Sequence, residues 1–275
     1  MEHKSYAKVN LALDILDKED KGYHHIQTVL QRISLHDVIE ITPAPRTTIT
    51  FHGDEAPLIN TKHNTVTQAL DLLRPTKTYD IVIHKHIPLG TGLGGGSSNA
   101  ATILSVLNNH ESSPLPQETL VEYGAKIGVD VPFFLYGPTA LGTHYGERIQ
   151  PLPDYTLQPF HPLLVIPHLR ANTAQHYKKI MLDKCGHKTE KTQALLHALR
   201  KNDTSINIFS LLHNDFETIK PTGFVDIKNV LQENGAQCTL LCGSGSGVLA
   251  LFNNPCDEAS LSQALPNQRI LNLHQ

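Results

Sequence analysis

The sequence predicts an α+β protein built from two lobes. Strand patterns dominate the start of the chain, helical patterns follow, and strands return near the end, which is typical of segregated elements rather than of a regular βαβ alternation. The chain has 275 residues, more than a usual single domain, so one large domain or two fused lobes are expected. A polar stretch punctuated by prolines, residues 154–159, is the predicted boundary and gives lobes of 1–155 and 156–275.

The elements of the first lobe follow from the spacing of apolar residues. Residues 5–16 alternate as a strand in which Lys8 and Asn10 share the face opposite the apolar residues. Asn64 opens a helix that ends before Pro75. The other segments predicted here are strands over 37–42, 47–52 and 79–86, a helix from Ser97 or Ser98 onward, and a helix over 117–127.

The second lobe begins with a short apolar run, residues 162–167, that predicts a buried strand. Amphipathic patterns then predict three helices, and two last strands flank a glycine-rich turn, residues 243–247. The predicted segments are helices over 173–182, 189–199 and 225–234 and strands over 238–242 and 248–252.

The strongest chemical pattern is the glycine-rich segment 88–101, which lies between a predicted strand and a predicted helix. Glycine permits positive φ and close approach of a ligand, so successive amide groups can converge on an anion at the start of the helix. Ser97 and Ser98 are placed as helix caps, phosphate donors or a magnesium ligand. A flexible linker is the alternative, but a linker is seldom held between a strand and a helix. The predicted phosphate-binding residues are Pro88, Leu89, Gly90, Thr91, Gly92, Leu93, Gly94, Gly95, Gly96, Ser97 and Ser98.

Two common phosphate loops do not fit this segment. A P-loop needs a lysine followed by serine or threonine after its glycines, and no lysine follows Gly96. A dinucleotide-binding loop would follow the first strand, whereas this one follows about four strands and has no convincing acidic partner for a ribose.

Composition argues against several other classes of protein. The net charge of −3 is spread without long runs of one sign, which is unlike a nucleic-acid binder. No apolar stretch reaches the ~20 residues that span a bilayer, and four cysteines without tight pairs are typical of a reducing compartment. The 17 histidines show no ligand spacing, so no zinc site is predicted. We expect a cytoplasmic protein without nucleic-acid or membrane partners.

Four segments together resemble the GHMP kinase superfamily, which includes galactokinase and the homoserine, mevalonate and phosphomevalonate kinases. Residues 88–101 are similar to its central phosphate-binding motif, and residues 241–247 to its C-terminal glycine motif. Residues 7–11 with Gly22-Tyr23-His24, and residues 128–133, resemble segments of the diphosphocytidyl-methylerythritol kinases of the non-mevalonate isoprenoid pathway. Their order and spacing agree with that family over nearly the whole chain.

The resemblance implies an ATP-dependent small-molecule kinase with a GHMP-kinase-like fold and an active site in the cleft between the lobes. It implies ATP and Mg²⁺ as cofactors, with unassigned magnesium ligands, and a small cytidine-diphosphate-linked alcohol as substrate. Another GHMP kinase, of the homoserine or mevalonate type, is one alternative, and a catalytically silent nucleotide-binding regulator is the other. Tyr23 and His24 favour the cytidylyl substrate because an aromatic ring can stack on a pyrimidine. The presence of both Lys8 and Asp130 argues against a silent regulator.

The resemblance also implies the catalytic residues. An alcohol kinase must accept the hydroxyl proton and stabilise the transferring phosphoryl group. Asp130 follows a predicted helix and is the expected base, and the resemblance implies that the Lys8 ammonium lies beside it and keeps it ionised. The residues predicted to contact the substrate are Asn10, Tyr23, His24, Gly243, Ser244 and Gly245.

The chain departs from the family pattern in two places. Lys21 replaces the usual acidic residue before Gly-Tyr-His, a change that a turn tolerates, and Asn172-Thr173-Ala174 replaces an expected Ser-Thr-Ala. The start of the first helix is the predicted adenine contact, through Asn64, Thr65 and Val66.

Overall fold

Two sheets and eight α-helices form the protein in a computed structural model, which describes residues 1–20, 22–157, 160–203 and 207–273. Lys21 and part of the predicted lobe boundary lie outside these ranges. The strands are β1 Glu2–Lys18, β2 His24–Pro43, β3 Thr48–His52, β4 Tyr79–His84, β5 Thr139–His144, β6 Arg148–Pro151, β7 His161–Pro167, β8 His213–Asn214, β9 Cys238–Leu241, β10 Val248–Phe252 and β11 Gln268–Asn272. The helices are α1 Thr65–Leu73, α2 Gly95–Asn109, α3 Gln117–Ile127, α4 Val131–Phe134, α5 Thr173–Lys179, α6 Thr189–Lys201, α7 Phe224–Glu233 and α8 Glu258–Ala264.

The first sheet has seven strands and is organised around the long antiparallel pair of β1 and β2. Its main order is β3-β4-β2-β1-β8, and β5 pairs with β2 and β6. Because β1 is covered on both sides, its polar residues are buried along with its apolar ones: Lys8 and Asn10 are each 3% exposed. Buried polar groups must be hydrogen-bonded, so β1 brings polar side chains with defined partners into the interior.

The second sheet has four antiparallel strands in the order β11-β7-β10-β9. Its apolar residues pack with those of β1 and β2 in shared core clusters, so Val9 lies in the same cluster as Leu164 and Leu249. A separate cluster joins α1, α2 and α3 to β2 and β4. The first sheet is therefore covered by helices on one side and by the second sheet and its helices on the other.

Polar contacts also join the late part of the chain to β1. β8 pairs with it in parallel, with Ala12 opposite His213. His213 Nε2 lies 2.9 Å from Asp14 Oδ1, and the Thr192 hydroxyl donates to Asp14 Oδ2 at 2.5 Å. These side chains are almost fully buried. The division into lobes at residue 155 stays a prediction.

The α+β prediction is confirmed, and several element boundaries differ from the predicted ones. β2 is a single strand of 20 residues, of which only the end was predicted. The β5–β6 hairpin, α8 and β11 were not predicted. Gly94, with φ 72°, precedes the first residue of α2, so Ser97 and Ser98 lie inside the helix and the prediction that they cap it is wrong. Among the described residues, no helix combines the length and apolar character needed to cross a membrane.

Candidate active site

The first glycine loop, residues 88–94, connects β4 to α2. Gly90, Gly92 and Gly94 have φ of 65°, 79° and 72°, a region that side-chain-bearing residues rarely adopt. A Cβ on Gly94 would stand 3.0 Å from Phe134 Cζ, and one on Gly95 2.9 Å from Ile87 Cγ2. A side chain at either position would therefore strike the protein itself before it reached a bound phosphate.

The second glycine loop, residues 243–247, lies between β9 and β10 and packs on the first. The Gly247 amide donates to the Thr91 carbonyl at 3.1 Å, and a Cβ on Gly92 would overlap the Cys242 carbonyl. A Cβ on Gly243 would stand 3.4 Å from Lys8 Nζ. Glycine is thus needed where the two backbones meet, next to the lysine predicted to be catalytic.

Lys8 is held between the two glycine loops. Its backbone amide donates to the Leu93 carbonyl at 2.9 Å, and its Nζ donates to Asn10 Oδ1 at 3.0 Å. The Asn10 amide in turn donates to Thr28 Oγ1 at 2.8 Å. This chain of hydrogen bonds fixes the ammonium group, which lies 3.6 Å from Asp130 Oδ2.

Asp130 directly precedes α4, yet its side chain makes no capping hydrogen bond. Its side chain is 35% exposed, whereas that of Lys8 is only 4% exposed. The carboxylate is therefore paired on one side and open to a ligand on the other. Ser97 Oγ borders the same segment, 3.8 Å from where a Cβ on Gly128 would stand.

A polar network that the sequence did not predict lies under α2. Lys85 Nζ donates to the Asp37 carboxylate and to Asn99 Oδ1, the latter at 3.0 Å. Asp37 also accepts from the two backbone amides that follow Lys85, at 2.7 and 2.8 Å. The Asn99 amide donates to Asp37 and to Ser5, and the Ser5 hydroxyl donates to Ser98. We call these five residues, Ser5, Asp37, Lys85, Ser98 and Asn99, the polar network; each is at most 8% exposed.

The predicted substrate residues Tyr23 and His24 have different surroundings. Tyr23 is 63% exposed, with its ring 5.3 Å from that of Tyr145; we call these two tyrosines the aromatic rim. His24 is buried and stacks on Tyr177 at 5.0 Å. Burial lowers the pKa of His24 and, together with the charge of Asp130, raises the pKa of Tyr177 to about 12. Both side chains are thus neutral near pH 7. Tyr177 therefore stacks on His24 and also lies close enough to Asp130 to feel its charge.

α5, which begins within the segment Asn172-Thr173-Ala174 that departs from the family pattern, contacts the second glycine loop. The Thr173 and Ser244 hydroxyls lie 2.8 Å apart, and His176 Nδ1 lies 2.6 Å from the Ser244 carbonyl oxygen. Tyr177 and His176 were not predicted as site residues. No motif marks them, and they reach the site only because α5 packs beside the loop.

The residues predicted to contact adenine have structural partners at the start of α1. Asn64 Oδ1 accepts from the Val66 and Thr67 amides and caps the helix. Val66 is buried in the core, at 1% exposure. Thr65 Oγ1 donates to the Gly96 carbonyl at 2.7 Å, which attaches α1 to the glycine-rich segment.

This chain is similar to known proteins in both sequence and fold. The model of the GHMP kinases N terminal domain matches residues 64–138. The 4-diphosphocytidyl-2-C-methyl-D-erythritol kinase of Solibacter usitatus is 35% identical over 91% of this chain and 81% of its own length, and that of Thermodesulfovibrio yellowstonii is 37% identical over 92% and 90%. A crystal structure of 4-(cytidine 5'-diphospho)-2C-methyl-D-erythritol kinase superposes with a TM-score of 0.78 at 26% identity, over 99% of this chain and 98% of that one.

Proposed function

We propose that this chain phosphorylates a hydroxyl of 4-diphosphocytidyl-2-C-methyl-D-erythritol with ATP. The chain belongs to the GHMP kinase family and, within it, to the 4-diphosphocytidyl-2-C-methyl-D-erythritol kinases. The reaction belongs to the non-mevalonate route to isoprenoid precursors. The observation that carries the proposal is the placement of the Lys8 ammonium between two glycine loops, 3.6 Å from a half-exposed Asp130 carboxylate. A protein that only bound nucleotide would have no use for this pair.

Phosphoryl transfer forms a bond between the substrate oxygen and the γ-phosphorus, and it breaks the bond from that phosphorus to the β–γ bridging oxygen. Asp130 accepts the hydroxyl proton, because its carboxylate is the open acceptor beside Lys8. Lys8 holds positive charge where negative charge is carried by the transferring group. Asn10 orients the ammonium through its own bond to Thr28.

The first glycine loop fits a triphosphate. Its positive φ values expose backbone amides at the start of α2, where the helix dipole favours an anion. Mg²⁺ would compensate the charge of the phosphates, and the Ser97 hydroxyl is the oxygen ligand that we propose this chain supplies. Ser98 is less suited because it is 2% exposed and already bonded to Ser5.

We assign the cytidine end of the substrate to Tyr23 and His24. An exposed aromatic ring supplies a stacking surface, and a neutral imidazole can hydrogen-bond the edge of the base. Gly243, Ser244 and Gly245 would lie along the diphosphate, beside α5. We further propose that the enzyme acts in the cytoplasm.

A panel of alcohols tests the function. ADP release would be measured with the cytidine-diphosphate-linked alcohol, homoserine and mevalonate, together with the mass of each product. We expect turnover with the cytidylyl alcohol and a gain of one phosphoryl group, and an Asp130→Asn variant controls for contaminating kinases. Turnover with homoserine or mevalonate alone would favour another GHMP kinase, and ATP binding without any turnover would favour a regulator.

A further inference from the structure

A cluster of charged and imidazole groups lies at the end of the β1–β2 pair, next to the aromatic rim. One ligand atom from each of Glu19, His25 and His144 lies within 4.8 Å of the others, and His25 Nε2 is 3.0 Å from Glu19 Oε1. Nothing in the proposed phosphoryl transfer uses these three side chains. Strand pairing brings them together: His25 lies opposite Asp17 on β1, and His144 ends β5.

We propose that Glu19, His25 and His144 bind a divalent transition-metal ion of the zinc type. Two imidazoles and a carboxylate are a donor set that zinc uses, with water as the fourth ligand of the tetrahedron. Magnesium and calcium prefer oxygen ligands throughout, so a site with two imidazoles selects against them. Ligand atoms around zinc stand about 3.3 Å apart, from bond lengths of about 2.0–2.1 Å.

The second observation is that each ligand has its own orienting partner. Asp17 Oδ1 lies 2.6 Å from His25 Nδ1, and Glu147 Oε1 lies 2.5 Å from His144 Nδ1. A carboxylate that accepts the Nδ1 proton leaves Nε2 of the same ring free to bind a metal, and His25 Nε2 is the atom that lies beside Glu19. Such carboxylate–histidine pairs are typical of zinc sites and raise the basicity of the ligand.

Glu19 has a partner of the same kind. Its carboxylate is hydrogen-bonded to the Tyr145 hydroxyl, which orients it beside the two imidazoles. All three ligands are half-buried, with side chains 25–32% exposed, so an ion can enter from solvent.

The ion would join two separate hairpin ends. Glu19 and His25 flank the connection from β1 to β2, whereas His144 begins the turn from β5 to β6. Tyr145, in the same turn, contacts the His25, His144 and Tyr23 rings. A filled site would cross-link the backbone on both sides of the aromatic rim.

The test uses the full chain, stripped with chelator and kept free of nucleotide and magnesium. Co²⁺ is titrated and its visible spectrum recorded, and Zn²⁺ affinity is measured by competition with a chromophoric chelator. We expect the protein to bind one equivalent of Co²⁺ tightly and to show the intense visible absorption of tetrahedral Co²⁺. Added Zn²⁺ should abolish this absorption by displacing the Co²⁺. Zn²⁺ should also raise the thermal midpoint of unfolding, because it binds the folded state.

Four variants separate this site from general metal binding by histidines. His144→Asn and His25→Gln each remove one ligand, and each should abolish tight binding of the one equivalent of metal. Asparagine is chosen at position 144 because it tolerates the positive φ of 65° there. Asp17→Asn keeps every ligand and should weaken Zn²⁺ binding about 10–100-fold. His197→Gln, on the exposed face of α6, is the matched control and should change nothing. If His144→Asn and His25→Gln retain the equivalent with unchanged affinity, or wild type gives only weak octahedral Co²⁺ spectra, the proposal is wrong.

Discussion

The polar network under α2 and the aromatic rim, which belong to the proposed phosphate and cytidine ends of the site, are built in opposite ways. In the network, Asp37 is 0% and Lys85 8% exposed, and Asp37 accepts four hydrogen bonds. In the rim, Tyr23 is 63% exposed and is held by ring contacts with Tyr145. The proposed phosphate end is thus held by buried groups, whereas the proposed base-recognition end depends on an exposed tyrosine. Changes at the first end should affect catalysis and folding together, and changes at the second should affect substrate binding alone.

The largest effect is expected between these two ends, at Lys8 and Asp130. Asp130→Asn keeps the shape of the site and removes the proton acceptor, and Lys8→Met removes the charge while keeping most of the stem. Each change should lower kcat about 100- to 10,000-fold. The double variant should lose little more than the worse single one if the two side chains act as a unit. Steady-state kinetics and ATP binding, which should persist, are the measurements.

A folded Asp130→Asn enzyme with near-normal turnover would refute the base assignment. Loss of ATP binding in either variant would instead show that the pair helps to hold the nucleotide.

The next largest effect concerns the polar network. Lys85→Met leaves the fully buried Asp37 carboxylate without its ammonium partner, and breaking a buried pair in this way costs about 3–5 kcal/mol. We expect a loss of this size in the free energy of unfolding, measured in urea. The double variant Lys85→Met/Asp37→Asn removes both charges, and the side-chain oxygen of the asparagine can still accept from the two backbone amides, so it should recover part of the loss. Lys126→Met, an exposed lysine on α3, is the control.

If Lys85→Met unfolds like wild type, the network does not support the fold as we argue. A normal unfolding free energy with weakened ATP binding would assign Lys85 to the nucleotide directly.

A third prediction compares two glycines of the first loop. Gly92→Ala must take a positive φ and would also overlap the Cys242 carbonyl, whereas Gly90→Ala meets only Arg170 Cβ at 3.7 Å. The backbone term is about 1–2 kcal/mol for both, and overpacking adds about 1–3 kcal/mol for Gly92 alone. Unfolding free energy and ATP affinity should therefore fall further in Gly92→Ala. Equal losses in the two variants would contradict close packing of the glycine loops.

The smallest effect is expected at the rim. Tyr23→Ala removes one stacking surface, worth about 1–3 kcal/mol, so the apparent KM for the cytidylyl substrate should rise about 5- to 150-fold. Stability should change by less than about 0.5 kcal/mol, since the side chain is exposed, and Tyr23→Phe, which keeps the ring, should bind substrate normally. Weaker ATP binding with unchanged substrate KM would reverse the assignment of the two pockets.

The same contrast explains which parts of the molecule could be predicted from the sequence. Glycine loops and strands with simple alternation have local patterns, so β1, β4, α1 and residues 88–101 were located to within a few residues. β2 was mostly missed because much of it is covered on both faces and alternates poorly. Asp37 and Lys85 looked like ordinary polar residues of strand ends, since burial of a charge depends on what tertiary structure places above it.

Residues of the candidate site could be predicted where they belong to a sequence motif. Residues that only tertiary packing brings to the site were missed. The resemblance implied that Lys8 lies beside Asp130, and the structure places them 3.6 Å apart. Tyr177 and Glu19 have no such motif. The spacing of histidines in the sequence did not indicate the proposed zinc site, because His25 and His144 are brought together only by the pairing of β2 with β5.

The short strand β8 affects the order in which parts of the chain can fold. β1, which carries Lys8 and Asn10, is synthesised well before β8, yet its edge is completed only by His213 and Asn214. The Asn214 amide then donates to the Leu241 and Gly243 carbonyls, so the second glycine loop depends on the same junction. Contacts so distant in sequence close late, because the intervening chain must be ordered first. On the ribosome, the strand that bears Lys8 is therefore made long before the segment that completes its edge.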